Sequence, residues 1–411
     1  MKITDVEVIR IYAPLAKRYE KHRIRLNQID HRAVFKVQTD NGLVGYGDSD
    51  WPEPLPPRSS FEPLVGRDPF DFINNRFNPG LGGALYDVMG KYLEVPAYKL
   101  MGQKLRDAVR VAAWTRPASP AVFREEIRRA VGQGYMVFKM HTSPLYDVFE
   151  QTRAAEEVAP DGFKIHYDFN GSRTLGAVLP IVSELEKNHP IVGFIEDPLP
   201  FRDIDGWRRL REKSRIPIVM HHPSLGGLQE VLHGVADIYM IGHSRAGPSV
   251  GDMLSQGTAY GLANVQIIVQ LCGGTLMKAL ALHVAAVLPT ATAHTINLDD
   301  QYEEDITTER IPVIEGFSPV PEGPGLGYEV DEKALARFAA NEPSVPPKYV
   351  GILCLPGGHK IYTRGRAKVK ELTGAEEGTI RGINFEFWED DGSPEFQRAY
   401  ERLQKEESFP G

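Results

Sequence analysis

Cysteine is scarce. The 411 residues hold two, Cys272 and Cys354, too few for a disulfide framework, and this points to a reducing compartment. Long apolar runs are missing as well: nothing approaches the ~20 residues that a membrane-spanning helix requires. The amino terminus, MKITDVEVIR, lacks the apolar core of a signal peptide. The expectation is a cytoplasmic protein without membrane contact. Surplus positive charge is also absent, because the net charge is −8, and this argues against a nucleic-acid partner. The remainder is ordinary for a globular chain, with 42% apolar and 25% charged residues and length enough for two domains and a large core.

Spacing then organises the chain. Apolar runs end in polar residues at Trp114, His141, Asp168, Glu196, His222, His243, Gln270 and Asn297, at intervals of 27, 27, 28, 26, 21, 27 and 27 residues. A parallel strand reaches the next through a crossover of about that length. Eight such ends predict an α/β fold, a (β/α)₈ barrel of the TIM type, with its active site where the strands finish. Helices are expected near 120–132, 145–158, 173–187, 202–213, 225–234, 248–260 and 275–287, with Ser119-Pro120 as an amino-terminal cap.

Before the barrel, ITDVEVIRIYA alternates as a half-buried strand, and two further strands flank Asp40-Asn41-Gly42, a hairpin signal. A helical pattern follows to Met101. Together these predict a small α+β capping domain at 1–105, a barrel domain at 106–335, and a segment at 336–411 that packs on the domains or on a partner subunit. Between the first strand and the hairpin lie Lys17, Arg18, Lys21, Arg23 and Arg25. They make either a solvated loop or a flap that meets an anionic substrate.

The strand ends carry the chemistry. Asp168 and Glu196 each close an apolar strand, and neighbouring strands bring them together, where two carboxylates repel unless a cation lies between them. With His222 as a third ligand, this oxygen-rich set suits Mg²⁺ or Mn²⁺. Lys139 and His141, two apart on one strand, point to the same side, and either can serve as a general base. His243 ends strand six, diametrically across a closed barrel from His141, which suggests acid and base on opposite faces of a substrate. His283 sits in an apolar helix and reads as a core histidine. A zinc hydrolase using His221, His222 and His243 is a rival, but such sites want an HxH pair on the first strand, and VRVAAW has none.

In order and spacing these pieces resemble the enolase superfamily, in its mandelate racemase and acid-sugar dehydratase branch, over residues 1–335. The resemblance lies in KxH at 139–141, DxN at Asp168–Asn170, EDP at Glu196–Pro198, IPI before His222, SRAG after strand six, GGT at 273–275 and PGLG at 324–327. It implies abstraction of a proton α to a carboxylate, assisted by a divalent metal, usually Mg²⁺. Asp168 and Glu196 match metal-ligand positions, while His222 stands where the family has a third carboxylate. His141 stands at the second lysine of the family's KxK. His243 and Gln270 replace the aspartate and histidine of its dyad, so racemisation through strand seven is not expected. Dehydration of a sugar acid to a 2-keto-3-deoxy acid remains, with His141 or Lys139 as base and His243 as acid. Asn170, Gln270, Arg23 and Arg25 are expected to bind the substrate, and the chain is expected to form a homo-oligomer. The alternative is a divergent member that binds carboxylates or acts as a racemase- or epimerase-like isomerase.

Overall fold

The computed structural model describes residues 1–18, 31–50, 54–242, 248–343, 345, 347–365 and 369–411. The first elements are β1 (Ile3–Tyr12), β2 (His31–Thr39), β3 (Val44–Asp50), α1 (Pro79–Leu93) and α2 (Tyr98–Met101). Strands and helices then alternate: β4 (Ala108–Thr115), α3 (Pro120–Gly132), β5 (Val137–His141), α4 (Val148–Glu156), β6 (Lys164–Asp168), α5 (Leu175–Asn188), β7 (Val192–Glu196) and α6 (Ile204–Lys213). The alternation continues with β8 (Ile218–Met220), α7 (Leu228–Leu232), β9 (Ile238–Ile241), α8 (Val250–Leu262), β10 (Gln266–Gln270), α9 (Thr275–Val287) and β11 (Thr295–Ile296). After β12 (Phe317–Pro319) and α10 (Glu332–Ala339) come β13 (Tyr349–Cys354), β14 (Lys360–Thr363), α11 (Val369–Thr373), β15 (Asn384–Glu389), α12 (Pro394–Lys405) and β16 (Ser408–Pro410).

Strands β4 to β11 follow one another in a single sheet, and β11 pairs back in parallel to β4. The fold is therefore an eight-stranded closed α/β barrel with an amino-terminal cap, as the spacing predicts. Most strands finish within two residues of the expected end. Helix α7 is shorter than expected, because residues 225–227 form a turn in which the Glu230 carboxylate accepts the Leu225 and Gly227 amides.

Chain packing separates two compact units. The first comprises Met1–Trp114, Leu225–Val231 and Ile238–Ser344, and the second Thr115–Ser224, Leu232–Asp237 and Val345–Gly411. In the first, β1, β2 and β3 form an antiparallel sheet. Helix α1 lies directly on β3, so closely that a Cβ on Gly47 would fall 2.1 Å from the Gly80 carbonyl oxygen. Arg32 of β2 is fully buried, its Nε 2.9 Å from Asp48 and its Nη1 2.8 Å from Asp305. Those two carboxylates also accept the amides of Gly274, Thr275 and Met277. They cap an α9 amino end whose own cap residue, Gly274, has no side chain to offer.

In the second unit, β5 to β8 run in parallel. Between β6 and β7 the register slips: Ile165 pairs with Val192, but His166 pairs with Phe194, so Gly193 is an extra residue. A side chain there would press on Lys164, 3.1 Å from the Cβ position. The slip places Glu196 level with Asp168. Within the segment at 336–411, expected only to pack on the domains or on a partner subunit, the strands form a four-stranded antiparallel sheet in the order β15-β13-β14-β16, with α12 against it. Leu353, Val369, Ile383 and Phe385 pack with Leu145 and Tyr146 of the loop after β5.

Candidate active site

The second unit holds Lys139, His141, Asp168, Asn170 and Glu196 together. Alternate residues of a strand share a side, and the register sets Lys139 level with His166, His141 with Asp168, and Asp168 with Glu196. The ladder continues past the strand ends, where Thr142 donates to the Asp168 carbonyl, Phe169 to that of Glu196, and Asp197 to that of Val219. The loops that open the site are therefore fixed by main-chain bonds.

Glu196 is fully buried. The Lys139 ammonium lies 2.7 Å from one of its oxygens, His166 Nε2 2.8 Å from the same oxygen, and His221 Nδ1 3.1 Å from the other. Burial opposes charge on Glu196, but Lys139, His166 and His221 outweigh it and hold the carboxyl well below its usual range. Lys139 is also 3.3 Å from Asp168 Oδ2, so one ammonium serves both carboxylates. His166 was not singled out from sequence. The period of two that links Lys139 to His141 also links His166 to Asp168, and would have found it.

His141 is the more open of the two base candidates, its side chain 23% exposed against 1% for Lys139. Its Nδ1 is 2.9 Å from Asn170 Oδ1 and 3.2 Å from Asp168 Oδ2. Both neighbours accept, so Nδ1 carries the proton and Nε2 carries the lone pair of the neutral ring. Burial is the main cause that depresses the imidazole below its ordinary value; Asp168 opposes this, and Lys139 and Arg116 add to it. Asn170 adopts φ 53°, a left-handed conformation uncommon for a residue with a side chain. Its amide donates to Asp168 Oδ1 at 2.8 Å.

Asp197 is the second residue that the sequence did not reveal. Next to Glu196 on a regular strand it would face the opposite side. It instead adopts φ 43°, and its carboxylate joins those of Asp168 and Glu196, with one oxygen of each within 4.8 Å of the others. Burial, then the charges of Glu196 and Asp168, push Asp197 well above the usual carboxylate range. Three buried hard-oxygen donors this close fit a divalent cation such as Mg²⁺ or Mn²⁺.

His222, expected as the third ligand, is exposed and stacks on His221, with ring centroids 4.1 Å apart. His221 is the one that reaches Glu196. Gln270 ends β10 in the first unit and is buried. His243, Arg23 and Arg25 lie outside the described residues. Arg18, in the described part of the basic stretch, is 3.4 Å from Asp300. His283 is buried and its Nε2 is 3.3 Å from the Leu326 carbonyl, as a core histidine requires.

Among the described residues, no helix is long and apolar enough to cross a membrane. The chain is 26% identical to the D-gluconate dehydratase of Thermoproteus tenax over 354 residues, 76% of this chain and 71% of that protein. It is likewise 26% identical to the D-xylonate dehydratase of Haloferax volcanii over 360 residues, 74% of this chain and 84% of that protein. The solved muconate lactonizing enzyme of Pseudomonas putida superposes with a TM-score of 0.70 at 21% identity, covering 82% of this chain and 99% of that one. The enolase C-terminal domain-like family model matches residues 122–334. With that match across more than half its length, the chain belongs to the enolase C-terminal domain-like family, and solved structures of the mandelate racemase and muconate lactonizing family share its fold.

Proposed function

We propose that this protein is a metal-dependent hydro-lyase that removes a proton α to a carboxylate and dehydrates a sugar acid to a 2-keto-3-deoxy acid. The observation that carries the reading is His141, a neutral imidazole whose Nδ1–H is committed to Asn170 and Asp168, beside three clustered carboxylates. The related dehydratases, which act on D-gluconate and D-xylonate, support the substrate class.

In this reading His141 Nε2 takes the α-proton. Asp168, Glu196 and Asp197 would hold the cation, which supplies positive charge against the negative charge that builds on the substrate carboxylate. Lys139 keeps Glu196 ionised and, lying between the two strand-end carboxylates, holds both in place. The β-hydroxyl leaves as water, and the enol so formed tautomerises to the 2-keto acid. The proton that departs with the hydroxyl is assigned to His243 from its sequence position. Gln270 has no proton to exchange at this pH, and this favours elimination over racemisation.

Incubation with a panel of aldonic acids in D₂O with Mg²⁺ tests the proposal. The expected result is a 2-keto-3-deoxy product from at least one acid, or exchange of its α-hydrogen for deuterium. Absence of both with every acid would sink it.

A second reading, a carboxylate-binding protein without this chemistry, draws on Lys139, which already serves Asp168 and Glu196 as an internal cation. Tight binding of an aldonic acid, unaltered by chelation and without turnover, would favour it.

A further inference from the structure

In the second unit the carboxyl-terminal segment reaches the two loops that follow β5 and β6, through apolar and charged contacts together. Leu145 and Tyr146, in the loop after β5, share a core cluster with Leu353, Val369, Ile383 and Phe385. Asp147 is buried, and one of its oxygens accepts from Arg381 Nε and from the Gly382 amide, each at 2.9 Å. Its other oxygen accepts the Phe149 amide at 2.9 Å and so caps α4. The Arg381 guanidinium also lies over the Phe149 ring at 3.8 Å. The loop that follows His141 is thereby fastened to residues 381–385.

The loop after β6 is fastened to Glu376 and Glu377. Thr174 is the cap residue of α5, yet its own side chain makes no cap. Its amide and Oγ1 both donate to Glu376 Oε2, at 2.8 and 3.0 Å. The Ser172 hydroxyl, with one proton to give, lies 2.7 Å from Glu377 Oε2 and 2.8 Å from the Phe169 carbonyl. Arg173 Nη1 is 3.3 Å from the same Glu377 oxygen and 3.2 Å from the same carbonyl. The Glu377 carboxylate thus closes a small frame around the main chain at Phe169, next to Asn170.

That frame encloses an unusual piece of backbone. Asn170 and Gly171 adopt φ 53° and 64° in succession, a left-handed pair that persists where the surroundings fix it. On one side the Gly171 amide donates to the Asp197 carbonyl at 2.7 Å. On the other stand Phe169, Ser172 and Arg173. Arg173 Nη2 also donates to Thr142 Oγ1 at 3.1 Å, and Thr142 follows His141. We infer that Glu377 is a positioning residue, acting through Ser172 and Arg173 to hold His141 and Asn170 in line with the substrate. The carboxyl-terminal segment is then a working part of the active site. This assignment rests on the dehydratase reading for the role of His141. A base misplaced by about 1 Å loses about 100-fold in rate, so a frame outside the reacting groups has leverage on the reaction.

Glu377→Ala tests the assignment, because it removes the carboxylate and keeps the main-chain oxygen that accepts from Arg173 Nε. With an aldonic acid that the native chain turns over, kcat should fall about 10- to 100-fold with little change in KM. The α-deuterium isotope effect on kcat should rise, since a misplaced base slows proton transfer itself. A smaller folded fraction would lower the rate and leave the isotope effect as it was. Glu377→Gln, which keeps an acceptor for Ser172, should recover most of the rate. An unaltered kcat in Glu377→Ala, or a loss of rate without a larger isotope effect, overturns the assignment. A native chain that neither dehydrates nor exchanges any acid refutes the reaction, and a second readout then decides the positioning. In chain labelled with ¹³C in its histidine rings, the His141 resonance, identified by its loss in His141→Gln, should shift in Glu377→Ala. An unmoved resonance means that Glu377 does not position His141.

Discussion

Arg173, next to the loop that carries Asn170, donates from Nε to the main-chain oxygen of Glu377, 204 residues later, at 2.9 Å. The same buried guanidinium reaches the Phe169 carbonyl at 3.2 Å and Thr142 Oγ1 at 3.1 Å, and lies over the Phe169 ring at 4.0 Å. Glu377 itself accepts from Ser172 Oγ at 2.7 Å. One side chain therefore links the loops after β5 and β6 to the carboxyl-terminal segment. Arg173→Met leaves those acceptors without a donor in a buried place, and a destabilisation of roughly 3–5 kcal/mol is expected. Thermal denaturation checks it. If the melting temperature hardly moves, the link is not structural.

His141 is the second test. His141→Gln keeps a polar side chain but removes the titrating nitrogen, and deuterium exchange should fall by about 10²–10⁴-fold, the usual contribution of a general base. Asn170→Leu should also slow exchange, because the ring then has only Asp168 to fix its tautomer. Unaltered exchange in His141→Gln would transfer the base role to Lys139.

Arg32 offers a test remote from the chemistry. Its guanidinium pairs with Asp48 and Asp305, all three with buried side chains. Arg32→Met would leave two carboxylates buried at the α9 amino end with only amide and hydroxyl donors. A loss of roughly 3–5 kcal/mol is expected, measured by urea denaturation. A loss below about 1 kcal/mol would mean that the helix end alone holds both charges.

Acid should find His283. Burial pushes this imidazole down to about 4 from an ordinary value of 6.5, and its Nδ1 is buried without a hydrogen-bond partner among the described residues. The unfolded chain takes up the proton first. The stability that goes with the neutral ring is therefore complete above pH 6.5 and is lost as pH falls towards 4, by about 3 kcal/mol in all. His283→Gln should flatten that part of the stability–pH curve. An unchanged slope between pH 6.5 and 4 would assign the acid sensitivity to other groups.

The barrel was legible because one crossover length repeats, and the repeat survives wide variation in residue type. Asp168 and Glu196 were legible because carboxylates at the ends of apolar strands have few structural reasons to be there. Asp197 was hidden because strand alternation points it away, and only its positive φ turns it back. The choice between His221 and His222 was hidden for the same reason: β8 ends at Met220, and beyond a strand end the alternation no longer dictates direction. The carboxyl-terminal sheet escaped because, apart from the β13–β14 hairpin, its pairings are non-local. Leu353 pairs with Phe385 and Tyr362 with Phe409, and no periodicity within one segment announces a partner so far away.

Gly193 shows what the carboxylate pair depends on. Were that residue paired in its turn instead of being passed over, β6 and β7 would pair without interruption from Ile165 onward, each residue opposite its neighbour in regular order. The better-bonded strand would then set Asp168 against an isoleucine and turn the glutamate to the opposite side of the barrel wall. The regular sheet and the reactive one differ by a single glycine, and the chain keeps the irregular one.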